Sequence, residues 1–316
     1  MIESCRFAVA VAVLSAFCAA QNINDVHVRP PAPGTAPAAD AKQTHLKPFV
    51  SNVDVVLVPV TVTDTATRIV TGLQRSHFLV LEDGKPQTIE YFYTQDAPIS
   101  MGIIFDMSGS MGDAVNTSRD AVKEFMQASN PDDEFFLITF ADKPNYVGNF
   151  TDRPEDIAGE LVYTHSHGLT ALWDSVYLGL SKMRAAKNAK RVLMVFSDGG
   201  ENHSRYSAKE LLRLVREADV QIYGVAIPCQ DYGPGGMAAI SGATGGRTFL
   251  GPPSTFGDIA SKVAIELRNQ YVVGYRPTNR AHDGKYRKIR VKLQPPKGLP
   301  PLVVTAKKNG YYAPDK

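Results

Sequence analysis

Between residues 98 and 270, short apolar runs alternate with segments in which apolar residues recur every three or four positions. The runs predict buried strands, and the spaced segments predict amphipathic helices; one example is the run at 101–105, followed by a helix with Val115, Val122 and Phe125 on one face. Alternating strands and helices are typical of parallel βαβ units. The pattern therefore predicts a Rossmann-like α/β domain, with a doubly wound, mostly parallel sheet and helices on both of its sides.

The regions on either side of this domain show a different period. In residues 49–97 and 271–316, apolar and polar residues alternate at every second position, which predicts half-buried strands. Pro59 favours an edge position or a bulge for the first of these strands. Each region is too small to bury a core alone, so we expect the two to pair into a smaller β-sandwich into which the α/β domain is inserted.

The start of the chain predicts export. Residues 1–20 combine Arg6, the apolar run at 7–17 and small residues before a cleavage point, which is typical of a signal peptide. An uncleaved membrane anchor is the alternative interpretation. Residues 21–48 are rich in Pro and Ala and lack periodicity, which predicts a disordered linker. We expect a secreted, periplasmic or cell-surface protein, with no integral membrane span in the mature chain.

The composition of the chain argues against bulk nucleic-acid binding and against an internal disulfide. The chain of 316 residues has 34 Lys and Arg against 32 Asp and Glu, a formal net charge of +2. This balance does not favour nucleic-acid binding, which usually needs a clearly basic face. Of the three cysteines, only Cys229 follows the predicted signal peptide, so the mature chain would form no internal disulfide. The role of Cys229 stays open.

Oxygen-bearing side chains follow two of the predicted strands. Asp106, Ser108 and Ser110 come at alternate positions after the first strand of the α/β domain, and Asp198 ends a later buried strand. Thr170 lies in a loop before an apolar helix. Ligand sites of α/β sheets lie beyond the carboxyl ends of the strands. Each fragment alone is compatible with a turn or a helix cap. Together they predict a site for one Mg2+, Mn2+ or Ca2+ ion per chain, because hard cations prefer oxygen ligands.

This set resembles the metal-ion-dependent adhesion site (MIDAS) of von Willebrand factor type A (VWA) domains. All five positions of the motif match in order, and the resemblance covers the whole α/β domain. It implies that Ser108, Ser110 and Thr170 reach the metal through their hydroxyls, and that Asp106 and Asp198 act directly or through water. It also implies that an acidic side chain of a partner protein takes the last coordination position. The layout with flanking β regions is similar to that of bacterial exported VWA-related proteins.

The resemblance favours a non-enzymatic, metal-dependent protein-binding module of the adhesion type, associated with a cell surface or envelope. Its partner would be a protein that presents Asp or Glu to the metal. A metal-assisted hydrolase is one alternative; it would need a base, for which His165, His167 and Glu201 are the candidates. A scaffold with a purely structural ion is the other alternative.

A basic stripe marks one of the C-terminal strands. Lys288, Arg290 and Lys292 share one face of the strand predicted at 286–293. Such a face is typical of a solvated edge that is protected from aggregation. The alternative interpretation is that it binds an acidic partner.

Overall fold

We describe the fold from a computed structural model of the chain. The structure describes the backbone of residues 25–27 and residues 55–94, 97–112, 114–127, 129–162, 166–227, 235–307 and 310–313. The predicted signal peptide lies outside these residues, as do most of the predicted linker, His165 and Cys229.

Strands and helices are numbered along the chain. The strands are β1 (Asp25–His27), β2 (Val56–Asp64), β3 (Ile69–Thr71), β4 (Phe78–Glu82), β5 (Lys85–Gln87), β6 (Ile89–Tyr93), β7 (Ile99–Asp106), β8 (Glu134–Phe140), β9 (Pro144–Thr151), β10 (Lys190–Ser197), β11 (Gln221–Ala226), β12 (Thr248–Leu250), β13 (Tyr271–Tyr275), β14 (Tyr286–Arg287), β15 (Ile289–Leu293), β16 (Leu302–Ala306) and β17 (Tyr311–Tyr312). The helices are α1 (Ala114–Gln127), α2 (Pro154–Val162), α3 (Leu172–Lys182), α4 (Ala208–Glu217), α5 (Gly235–Thr244) and α6 (Phe256–Arg268). No helix within the described ranges combines the length and the apolar character needed to cross a bilayer.

A six-stranded sheet lies at the centre of the α/β domain, with strand order β12-β11-β10-β7-β8-β9. All of its strands are parallel except β9, which runs antiparallel to β8. β7 and β10 are neighbours, and Phe105 lies opposite Phe196. The residues that follow in each strand, Asp106 and Ser197, therefore end adjacent strands at the same edge of the sheet.

Helices cover both faces of this sheet. Ile103 and Phe105 of β7 belong to a buried cluster that includes side chains of α1, α2 and α6. Ile104, between them, belongs to a second cluster that includes side chains of α3, α4 and α5. Successive residues of a strand point to opposite faces, so β7 contributes to both cores, as its uninterrupted apolar sequence predicts. The prediction of an α/β fold with a mostly parallel sheet is confirmed.

Strands from the two flanking regions pair with each other. β13 runs antiparallel to β2, with Tyr271 opposite Val60, and β15 runs antiparallel to β4. One buried cluster contains side chains of both regions, among them Val60, Phe78 and Tyr271. The three-residue strand β1, within the predicted linker, pairs in parallel with β3.

The edge position expected for the strand around Pro59 is wrong, because β2 has neighbours on both sides. β13 pairs with its first half and β16 with its second half. The pairing with β16 reaches only to Val60, however, so Pro59 has β13 as its single neighbour. A proline, which lacks an N–H, is tolerated at such a one-sided position.

Candidate metal centre

The carboxylate of Asp106 lies at the carboxyl end of β7 and is fully buried. The Ser197 hydroxyl donates to its Oδ2 at 2.5 Å, and the Ser108 backbone N–H donates to its Oδ1 at 2.8 Å. Ser197 belongs to the neighbouring strand β10. Both carboxylate oxygens are thus held in place by groups from two different strand ends.

The environment of Asp106 disfavours its negative charge. The pKa of this carboxyl is raised to about 6, mainly by burial and to a smaller extent by the nearby carboxylate of Asp198, although hydrogen bonds from Ser197 and Ser108 oppose the shift. Two buried carboxylates that repel each other are the groups that a bound cation would stabilise.

The loop after β7 brings two hydroxyls together. Ser108 Oγ and Ser110 Oγ lie 3.2 Å apart. Ser108 is buried and Ser110 is exposed, so the pair runs from the interior to the surface. A 3-10 turn at Gly109–Met111 places them so, and Gly112, with φ +43°, redirects the chain into α1.

The side chains of Thr170 and Asp198 both lie close to Gly200. A Cβ atom on Gly200 would lie 3.0 Å from Asp198 Oδ1 and 3.8 Å from Thr170 Oγ1. Both side-chain oxygens therefore lie close to one point, although they come from different loops. The Gly200 N–H also donates to Asp198 Oδ1 at 2.9 Å, which fixes this carboxylate. Thr170 and Asp198 are both buried.

The structure brings the five side chains predicted from the sequence to one edge of the central sheet. A backbone hydrogen bond of 3.2 Å from Gly109 to Gly168 joins the loop after β7 to the loop that carries Thr170. The oxygen donors are two carboxylates and three hydroxyls, a set that fits a hard divalent cation better than zinc. Over the described part of the chain, no cluster of three or more His, Cys, Asp and Glu side chains is placed to hold a metal.

Asn202 was not predicted to belong to the site. It forms hydrogen bonds with both the backbone N–H and the backbone carbonyl of Thr170. Its Oδ1 accepts the Thr170 N–H at 2.9 Å, and its own N–H donates to the Thr170 carbonyl at 3.1 Å. Because Asn202 follows Asp198 in the same loop, this double contact ties two of the ligand-bearing segments together. Nothing in the local sequence distinguishes Asn202 from an ordinary polar loop residue.

Glu201 and Asp142 support the same region. Glu201 Oε2 accepts the Trp173 N–H at 3.0 Å and the Ser204 hydroxyl at 2.7 Å, so this carboxylate caps the first turn of α3. Asp142 Oδ1 accepts the Leu169 N–H at 2.7 Å. Trp173 packs in the core beneath the site.

His167 lies at the rim of the site. Its side chain is exposed, and its backbone N–H donates to the Met107 carbonyl at 2.7 Å. This bond joins the loop before Thr170 to the loop after β7 a second time. His165, the other histidine considered from the sequence, lies outside the described residues.

Replacing Asn202 with alanine is expected to weaken Mg2+ binding by about 10- to 100-fold, the range typical of residues that orient a metal ligand. The reason is that Thr170 would lose an acceptor that positions its backbone. Calorimetric titration of the purified chain measures the change. His203→Ala is the matched control, because the His203 contact to Thr170 is made by its backbone N–H alone. Equal affinity of Asn202→Ala and the unchanged chain would contradict the positioning role.

Comparison with known proteins gives one sequence match, which includes the candidate metal centre. Residues 101–201, a range that contains all five side chains, match the sequence profile of the von Willebrand factor type A domain. A search of curated proteins found no match.

Three solved structures are among those similar to this chain. The von Willebrand factor type A protein from Catenulispora acidiphila is 12% identical over 84% of this chain and 75% of its own, with a TM-score of 0.51. BatB from Bacteroides thetaiotaomicron is 14% identical over 53% and 98%, with a TM-score of 0.45. The vWF domain of the pilus tip protein Mfa5 from Porphyromonas gingivalis is 10% identical over 55% and 97%, with a TM-score of 0.44. At these identities, the first likeness supports the fold alone.

Proposed function

Because residues 101–201 match the sequence profile of the von Willebrand factor type A domain, we propose that this chain is a metal-dependent protein-binding module of the adhesion type. It binds one divalent cation at the edge of its central sheet, and through that cation an Asp or Glu side chain of a partner protein. The observation that carries the proposal is the buried Asp106 carboxylate, whose charge is disfavoured by burial and by Asp198.

Each side chain has a task in this proposal. Ser108, Ser110 and Thr170 offer neutral hydroxyl oxygens to the cation, and Asp106 and Asp198 neutralise its charge, directly or through water. With only two carboxylates available, a bound Mg2+, Mn2+ or Ca2+ ion would keep affinity for a further carboxylate from outside. Ser110 is the exposed member of the set, so the partner would approach from its side.

The contacts of Glu201, one of the three candidate bases, favour binding over catalysis at this site. Glu201, the candidate base nearest to Asp198 in sequence, uses Oε2 to cap α3, and its Oε1 accepts the His203 and Ser204 N–H groups. The hydroxyls of Ser108 and Ser110 contact each other. A hydrolase would instead need a base free to take a proton from water or from a nucleophile.

We further propose that the paired flanking regions form a β-sandwich that carries the inserted α/β domain. The pairing of β13 with β2 supports this arrangement. Together with the predicted signal peptide and linker, the sandwich would hold the cation site away from the point of attachment or release, outside the cytoplasm.

Metal titration of the full mature chain tests the proposal. We expect saturable binding of about one Mg2+ or Mn2+ ion per chain. An immobilised peptide that contains one Asp should then retain the chain in the presence of the ion, whereas its Asn counterpart, or the addition of EDTA, should abolish retention. A folded chain that binds no ion, with or without the Asp peptide, would overturn the proposal. If the chain binds the ion but the Asp peptide does not retain it, the ion has a structural role and the proposed binding of an acidic partner is wrong.

A further inference from the structure

The three-stranded sheet β15-β4-β5 has two unlike faces. Phe78, Val80 and Ile289 turn inward and are buried in the core shared by the flanking regions.

The opposite face carries half-buried leucines on β4 and exposed cations on β15. Arg290 lies opposite Leu81, and Lys292 lies opposite Leu79. We call this surface the cationic face and define it by Leu79, Leu81, Lys288, Arg290 and Lys292.

The cations of this face are unpaired within the described part of the chain. Lys288, Arg290 and Lys292 form no ion pair there, and their side chains make no hydrogen bond. Other cations of the flanking regions do have partners: Arg287 pairs with Asp283, and Arg276 pairs with Glu90. The positive charge of the cationic face is therefore not neutralised locally.

Two carboxylates lie close to this face, and both accept hydrogen bonds from other groups. Glu82, the one acidic residue in β4, β5 and β15, is buried and accepts hydrogen bonds from the hydroxyls of Tyr275 and Tyr311. Asp83, in the following turn, accepts the Lys288 backbone N–H at 2.8 Å. Within the described residues, the outward surface of the sheet thus combines three positive charges with apolar area, and Asp83, in the turn at its edge, is the exposed carboxylate beside it.

We propose that the cationic face docks on the surface of an anionic lipid bilayer. Lys and Arg side chains next to such a surface are attracted by its negative potential, and the leucines between them can enter the headgroup boundary. An acidic protein is the less suitable occupant. A site for one particular carboxylate holds its cations in position, whereas no described group fixes the heads of Arg290 and Lys292. A fluid layer of headgroups needs no such fixed arrangement.

Co-sedimentation of the full mature chain with lipid vesicles tests the proposal. We expect binding to phosphatidylcholine vesicles that contain about one third phosphatidylglycerol to be roughly 100-fold stronger than binding to pure phosphatidylcholine, since each cation contributes about fivefold. The Arg290→Glu/Lys292→Glu chain should lose most of this difference. EDTA should have no effect, which separates this surface from the proposed metal-dependent function.

A matched control is available at the start of α4, where Arg205→Glu/Lys209→Glu makes the same change in net charge at two exposed cations that form no ion pair within the described residues. This control should bind anionic vesicles as the unchanged chain does, and all three chains should have equal thermal melting temperatures. Equal loss in both double variants would overturn the proposal, because net charge alone would then explain binding. Retention on poly-glutamate without binding to anionic vesicles would also overturn it, in favour of an acidic protein partner.

Discussion

An Asp106→Asn chain is expected to lose metal binding while it remains folded. Asparagine has nearly the same shape as aspartate; its Oδ1 can accept the Ser108 N–H, and its amide can donate to the Ser197 hydroxyl once that hydroxyl rotates. What disappears is one of the two negative charges available to a cation. We therefore expect the affinity for Mg2+, measured by calorimetric titration, to fall by more than the roughly 100-fold typical of residues that only orient a ligand.

The same substitution should change the stability of the metal-free chain in a pH-dependent way. The pKa of Asp106 is raised from 3.8 to about 6, mainly by burial. The folded state then binds this proton more tightly than the unfolded state does, so the ionised carboxylate destabilises the metal-free fold at neutral pH. At pH values above the pKa of the folded state, this destabilisation is about 3 kcal/mol. It disappears as the pH falls from about 6 to about 4.

Urea unfolding in the presence of EDTA tests whether the ionised Asp106 carboxylate destabilises the metal-free fold. Because the asparagine side chain does not titrate, the Asp106→Asn chain should be the more stable one at neutral pH, and the two chains should converge as the pH approaches about 4. Comparison of the two chains cancels the effects of other carboxyls, such as Asp64, whose pKa is shifted in the opposite direction. A difference in unfolding free energy that is independent of pH would show that packing, not charge, distinguishes the two side chains.

The local sequence pattern predicts the five candidate ligands, because each lies near a strand end or just before a helix. The partners that orient them could not be found in this way. Ser197 bonds to Asp106 across 91 positions, and Asn202 bonds to Thr170 across 32 positions. Both contacts depend on the order of strands in the sheet, which the period of apolar residues leaves undetermined.

The fold shows the same division between local and long-range information. The uninterrupted apolar runs of strands such as β7 and β10 indicate burial on both faces, and both strands lie inside the sheet. Pro59 was misleading because a proline constrains only its own hydrogen bond. β2 has neighbours on both sides overall, yet Pro59 itself has only one. A single residue predicts its local environment better than the position of a whole strand.

Glu266 is a second residue that the sequence would misplace. It precedes Leu267 near the end of α6, where a charged side chain usually faces solvent, yet it is 1% exposed. Its Oε1 accepts hydrogen bonds from the hydroxyls of Thr61 in β2 and Tyr223 in β11, both at 3.1 Å, and its Oε2 pairs with Arg247. This carboxylate thus connects the N-terminal β region, the central sheet and the last helix.

Replacing Glu266 with alanine is therefore expected to destabilise the chain by about 3–5 kcal/mol, because it would leave the largely buried Arg247 uncompensated and the two hydroxyls without an acceptor. Urea unfolding measures the change. A Glu266→Leu/Arg247→Met chain is the informative comparison, since it removes both charges and fills the space with apolar atoms. We expect this double variant to lose much less stability than the single variant. Equal losses would mean that the charge pair is unimportant and that the hydroxyl contacts or packing at α6 dominate.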